Sequence, residues 1–243
     1  MSTAWRDILQ KELRTVLREK GATEFFRYTK SLLNVDVNNS SAASSKGLLV
    51  GELAECVLSI MVDEYIRQTG WQATGYHSLV LKNLGKLDSE FRTELDYTIV
   101  SPGVMLTIEC KSYKGSVNVV DRCTFVCGDK RADVYKQSEL HHKHLCKYAE
   151  QLTLPNKGVA QVPVFACAFL FSDSKLCEQR TKENQHSLTV LTAGTLYRYL
   201  DAIRAAYKKP VFDYQRACKI FGMLEQSELL HKQHANYVGY KRK

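Results

Sequence analysis

The chain has 243 residues, 44% of them hydrophobic and 25% charged, an ordinary globular balance that can bury one substantial core. Its formal charge of +8 and pI of about 9.0 favour a polyanionic partner such as nucleic acid or a membrane surface. No apolar stretch approaches the roughly 20 residues of a membrane-spanning helix, and the N-terminus lacks a basic-then-apolar leader, so the expectation is a cytoplasmic protein without a bilayer span.

In chain order, Trp5, Ile8, Leu9, Leu13, Val16 and Leu17 recur at helical spacing between charges. The periodicity predicts an amphipathic helix ended by Gly21, and a second helical piece runs from Thr23 to about Leu33. These pieces either pack on the core or dock a protein partner or a second copy of the chain. Asn38–Lys46, rich in Ser and Asn, has the composition of a mobile linker and closes an N-terminal appendage at residue 46. Residues 48–68 form the clearest helix, with Leu49, Leu53, Val57, Ile60, Met61 and Tyr65 on one apolar face. Glu52 and Glu55 fall near its start, where the helix dipole by itself accounts for carboxylates. A short strand, Ser78–Lys82, and a loop over Asn83–Phe91 follow.

Two apolar runs, Tyr97–Val100 and Val104–Ile108, flank a three-residue turn, Ser101-Pro102-Gly103. Pro presets a turn φ and Gly accepts a positive one, so this stretch reads as a β-hairpin. Residues two apart on a strand face the same way, which puts Glu109 and Lys111 on one face and Ile108 and Cys110 on the other. Asp96 opens the first strand, so pairing brings Asp96, Glu109 and Lys111 to one end and one side of the sheet. Two carboxylates and an ammonium are costly to desolvate together, and a divalent cation is the usual compensation.

Beyond the hairpin, Val117–Val120 and Thr124–Val126 read as edge strands and residues 131–152 as a helix carrying Val134, Leu140, Leu145 and Leu152. Gln137 lies on its first turns, and His141, His142 and His144 with Lys136, Lys143 and Lys147 suggest a solvated basic face. Eight cysteines show no secreted-domain pattern. Cys123 and Cys127, with His141, His142, His144 and Cys146 downstream, could supply zinc ligands, but their spacing matches no standard finger or ribbon, and free thiols with solvated histidines are the preferred reading. Val162–Phe171 is apolar throughout, as in a strand buried on both faces. Leu188–Leu191 is a further strand and Thr195–Tyr207 a helix, which Lys208-Lys209-Pro210 breaks. A helical, basic C-terminal extension over 208–243 follows, and its Tyr237–Lys243 tail could track a phosphate backbone or be disordered. The strand–helix alternation points to an α/β sandwich.

Asp96 followed thirteen residues later by Glu109-Cys110-Lys111 resembles the D…(D/E)xK core of the PD-(D/E)xK nuclease superfamily. The wider order is more specific: Gly51-Glu52 in a helix, Glu94-Leu95-Asp96 before an apolar strand, a Pro-Gly turn, Ile108-Glu109-Cys110-Lys111, Tyr113-Lys114-Gly115, then Gln137 in a later helix. Together these resemble the nuclease-related domain (NERD) branch, from about Gly47 to about Leu200. The resemblance implies a restriction-endonuclease-like three-layer sandwich around a mixed β-sheet over residues 47–207. It implies a metal-dependent nuclease hydrolysing phosphodiester bonds, of DNA rather than RNA. Mg²⁺ or Mn²⁺ would be held by Asp96, Glu109 and the Cys110 main-chain carbonyl, with Glu52 contributing through water and Glu55 as the fallback. Lys111 would orient the nucleophilic water or stabilise the developing charge, and Gln137 would orient water or a phosphate. Tyr113 and Lys114, just past the site, are candidate nucleic-acid contacts, although an exposed Tyr-Lys pair beside a turn is equally ordinary. The alternatives are a catalytically silent nuclease fold that binds nucleic acid, or an adaptor assembling through its N-terminal helices and Cys/His region. No Gly-x-x-x-x-Gly-Lys-Ser/Thr loop is present, so an ATP-driven motor would be a separate partner.

Overall fold

A computed structural model describes residues 3–34, 43–82, 92–152, 162–172, 175–184 and 187–241. The first helix, α1 (Thr3–Asn34), is two helices joined across Gly21, whose φ of 78° and ψ of 177° are non-helical, as the placement of this glycine predicts. Leu9, Leu13 and Phe25 are buried against α2 (Ala43–Thr69), and Arg14 Nη2 lies 2.5 Å from Asp63 Oδ2 on that helix. Thus α1 packs on the core, although Ile8, expected on its apolar face, is 66% exposed. Ala43–Lys46, read as linker, belong to α2, because helix continues backward from a buried segment at little extra cost. The rest of that Ser-rich stretch and the Asn83–Phe91 loop lie outside the described residues.

Five strands form the main sheet: β1 (Thr74–Lys82), β2 (Arg92–Ser101), β3 (Val104–Tyr113), β7 (Val164–Ser172) and β9 (Thr189–Leu191), adjacent in that order. The β1–β2 and β2–β3 pairs are antiparallel, while β3–β7 and β7–β9 are parallel, so the sheet is mixed. A smaller sheet, ordered β6 (Lys130–Asp133), β5 (Thr124–Cys127), β4 (Val117–Val120) and β8 (Leu176–Glu178), lies beside it. Helix α3 (Val134–Glu150) returns the chain from β6 to β7. Residues 131–133, expected to be helical, belong to β6 and pair with β5 instead, and Asp133 caps α3 by accepting a 3.1 Å hydrogen bond from the Lys136 N–H.

Helices α1, α2 and α4 (Leu196–Ala206) cover one face of the main sheet, packing on Tyr97, Ile99, Leu106, Ile108, Cys167 and Phe169. Helices α3 and α5 (Tyr214–Glu225) cover the other through Leu145, Tyr148, Ala217 and Phe221. The result is an α/β sandwich around a mixed sheet, consistent with the restriction-endonuclease-like layering expected. The described C-terminal residues join this packing: Glu225 Oε1 accepts from the His77 N–H at 2.6 Å, and the Tyr76 hydroxyl donates to the Cys218 carbonyl at 3.1 Å. The last helix, α6 (Glu228–Lys241), brings His234 Nε2 within 3.4 Å of Glu94 on β2. Among the described residues no helix is long and apolar enough to cross a membrane.

The β2–β3 connection is two residues, Pro102-Gly103, with Ser101 opposite Val104. Gly103 does not use a positive φ. It is required for close approach: a Cβ there would stand 2.2 Å from the Tyr207 carbonyl oxygen and 2.8 Å from that of Lys209.

Candidate active site

The β2–β3 ladder runs from Ser101↔Val104 to Tyr97↔Ile108 and stops one residue short of Asp96. On β2 the side chains also change face here, Leu95 packing toward α3 and α5 but Tyr97 toward α2. Ser78 on β1, which falls between the pairs His77↔Tyr97 and Leu79↔Leu95, has a φ of 46°, an unusual value for a residue other than glycine. Where the backbones part, the Asp96 carboxylate takes over the ladder's role: Oδ2 accepts the Cys110 N–H at 2.7 Å.

From β3, Glu109 is 1% exposed and its Oε1 accepts a hydrogen bond from Lys111 Nζ, as alternation along the strand requires. Cys110, on the opposite face, is buried in the apolar layer beneath α2, and burial pushes its thiol well above the ordinary range. From α3, His141 reaches in, its Nδ1 3.0 Å from Glu109 Oε2 with both side chains buried.

These neighbours set the charges. Burial and the adjacent Glu109 hold the Asp96 carboxyl well above the usual carboxylate range, against Lys111 and the Cys110 N–H. Burial also opposes ionisation of Glu109, but His141 and Lys111 outweigh it and bring its pKa down. For Lys111, burial opposes the charged form, yet Glu109 and Asp96 outweigh it and keep the ammonium protonated beyond its ordinary range. Glu109 is therefore compensated and Asp96 only in part.

Glu55, half-buried on α2, is among the charges acting most strongly on Asp96 and Cys110, and Glu52 is not. The Glu55 charge thus acts on the cluster from the neighbouring helix. Gln137 is exposed on α3, one turn before His141. Tyr113 is half-buried, its ring packed edge-on against Phe125 at 6.1 Å, whereas Lys114 is exposed. The expected solvated histidine face does not form as such. His141 and His144 are buried, because Ser138, His141, Leu145 and Tyr148 make the stripe of α3 that faces the sheet. His142 instead has its Nε2 at 2.9 Å from the Val164 carbonyl, with Cys146 Sγ 3.7 Å away. All eight cysteines are free thiols.

Among the described residues no group of three or more His, Cys, Asp and Glu side chains forms a metal cage. Asp96 and Glu109 nevertheless fit a hard divalent cation. They are oxygen donors, Asp96 carries charge repulsion that a cation would relieve, and buried Glu109 Oε2 lacks an aligned hydrogen bond. Mg²⁺ takes one or two carboxylates and completes its shell with water and phosphate oxygens.

Residues 51–170, which hold all of these groups, match the family model described as the nuclease-related domain. The chain carries a nuclease-related domain. The matched segment runs from Gly51 of α2 through the hairpin and α3 to Leu170 of β7. His141, within it, figures in the sequence only as a possible zinc ligand or part of a solvated basic face, not beside Glu109; its recurrence with Ser138 and Leu145 at helical spacing is the available signal for its burial. No curated protein compared with the chain matches it. Among solved structures, protein VC1899 from Vibrio cholerae aligns with a TM-score of 0.39 at 17% identity, over 83% of this chain and 50% of that one. The chain thus spans about half the length of that protein, and so slight a likeness bears on neither fold nor function.

Proposed function

We propose that the nuclease-related domain hydrolyses phosphodiester bonds of DNA with Mg²⁺ or Mn²⁺ held by Asp96, Glu109 and the Cys110 main-chain carbonyl. The observation that carries this reading is the Asp96–Glu109–Lys111 cluster, buried at Glu109 and half-buried at the other two, in which the two β3 groups neutralise each other while Asp96 is only partly compensated. A bound divalent cation would supply neutralisation of phosphate charge and a more acidic water.

The chain's own groups do the rest. Glu109 holds the Lys111 ammonium beside the carboxylates, where its compact charge orients the attacking water or meets the charge developing on phosphate oxygens. Water oxygen bonds to phosphorus as the bond to the leaving sugar oxygen breaks; the attacking water gives up a proton to solvent and the departing oxygen takes one from solvent. Glu55 extends the acidic site from α2, and Glu52, one turn earlier on that helix, contributes through water. Gln137 is exposed on α3 one turn before His141, and its role in this reading is to orient a phosphate or water. Of the two nucleic-acid candidates this reading favours Lys114, which is exposed, whereas part of the Tyr113 ring is covered by Phe125.

The test is cleavage of linear, circular and single-stranded DNA with Mg²⁺, Mn²⁺ or EDTA, comparing wild type with Lys111→Ala and Asp96→Ala. Metal-dependent cutting is expected, abolished by EDTA and reduced at least about 10²–10³-fold in each variant. Binding without cutting by wild type, or equal cutting by the variants, would instead favour a silent nuclease fold.

A further inference from the structure

Glu109 has two oxygens with different surroundings. Oε1 is held by Lys111 from the same strand, whereas Oε2 faces His141 Nδ1 across the seam between β3 and α3. The separation is 3.0 Å, a hydrogen-bonding distance, but the alignment is poor, and neither atom has a hydrogen-bond partner in the protein. A buried carboxylate oxygen and a buried ring nitrogen left unpaired would each carry a desolvation penalty, so the stable arrangement is the one in which a small ring rotation joins them.

The surroundings restrict other outcomes. His141 is 3% exposed, with buried Ser138 and Leu145 before and after it on the same stripe of α3. Its ring cannot turn out to water without moving the helix. Glu109 belongs to a β3 segment paired residue by residue with β7, Glu109 opposite Ala168. An ionised carboxylate offers about four lone-pair sites, so contacts from Lys111 and His141 leave room for a cation.

We propose that His141 is a positioning residue, donating its Nδ1–H to Glu109 Oε2 and fixing the carboxylate in the orientation that receives the divalent cation. Lys111 and His141 then brace the carboxylate from opposite sides, one from its own strand and one from the helix above. Removing such an outer contact typically weakens metal binding about 10–100-fold. The proposal rests on the metal-dependent reading of the site.

Calorimetric titration with Mn²⁺ tests it in the full chain, using wild type, His141→Leu, His141→Asn and His141→Gln, with circular dichroism to establish folding. Asn places an amide donor near the position of Nδ1 and Gln near that of Nε2, so the two separate a directed hydrogen bond from mere polarity. Wild type and His141→Asn should bind within about threefold of each other, and His141→Leu and His141→Gln about 10–100-fold more weakly. The Mn²⁺ concentration for half-maximal DNA cleavage should move by the same factor, with turnover at saturating metal little changed. If the Leu variant does not fold, the Asn–Gln contrast alone decides. Equal affinity in all variants, or equal loss in Asn and Gln, overturns the positioning role while leaving the nuclease reading intact. Absence of Mn²⁺ binding by wild type overturns the metal-dependent reading and this inference with it.

Discussion

At Asp96, burial and the neighbouring Glu109 both oppose ionisation, and Lys111 with the Cys110 N–H offsets them only in part. A carboxyl whose pKa is raised by folding contributes stability that is fully present below the ordinary carboxylate range and is lost as pH rises through the raised value. The contribution of Asp96 to the stability of the metal-free protein should therefore fall as pH climbs above about 4, the ordinary carboxylate pKa. Asp96→Asn keeps an oxygen for the Cys110 N–H and removes the charge. It should raise the melting temperature of metal-free protein at pH 8 by about 2–4 °C, the shift that about 1 kcal/mol produces in a domain of this size, while abolishing cleavage. Mg²⁺ should raise the melting temperature of wild type and leave the variant unmoved. Calorimetric scans at pH 4 and 8 check both statements, and a variant that melts lower at pH 8 would contradict the charge assignment.

Among the elements, the hairpin is positioned by its turn as much as by its ladder. Gly103 lies against the Tyr207 and Lys209 carbonyls at the end of α4, and the Val211 N–H donates to the Pro102 carbonyl at 2.9 Å. Since both neighbours of the missing Cβ are backbone atoms, Gly103→Ala forces the turn and the α4 terminus apart. The expected loss is about 1–3 kcal/mol, the usual range for overpacking, read as a lower urea midpoint at unchanged slope. The cluster lies at the opposite end of β2 and β3, so the Mn²⁺ affinity of the folded variant should stay near that of wild type. A similar pin holds the smaller sheet: buried Arg180 donates to Glu178 through Nε and Nη2, each at 2.7 Å, and to the Leu188 carbonyl through Nη1 at 2.7 Å. It ties the end of β8 to the approach to β9, which helps explain how so short a parallel strand keeps its place beside β7.

Over the whole molecule, the formal charge of +8 provides long-range attraction to a phosphate backbone independent of sequence. If two or three phosphates are neutralised on binding, raising monovalent salt from about 50 to 200 mM should weaken DNA binding roughly 10–40-fold. Fluorescence anisotropy in EDTA, which separates binding from cleavage, measures this slope, and salt-independent binding would remove charge from the account. The same measurement on single- and double-stranded DNA identifies the preferred form.

What the sequence determined by itself was whatever depends on short-range order. The period-2 alternation of β3 puts Glu109 and Lys111 on one face and Cys110 on the other, and the spacing to Asp96 marks a hairpin with acids at one end. The helical periodicity of α2 and α4 and the break at Gly21 are local in the same sense. Tertiary structure decided the rest, because it depends on how elements roll and dock. Glu55 lies far from Asp96 in the chain, and only the packing of α2 brings its charge to bear on that carboxyl. Lys130–Asp133 carry no strand pattern and become β6 only by pairing with β5. His141 lies thirty-two residues beyond Glu109 and meets it only because α3 docks its Ser138–His141–Leu145 stripe on that face of the sheet. No periodicity in a single strand or helix contains that contact, since it is created by the burial of two apolar surfaces against each other.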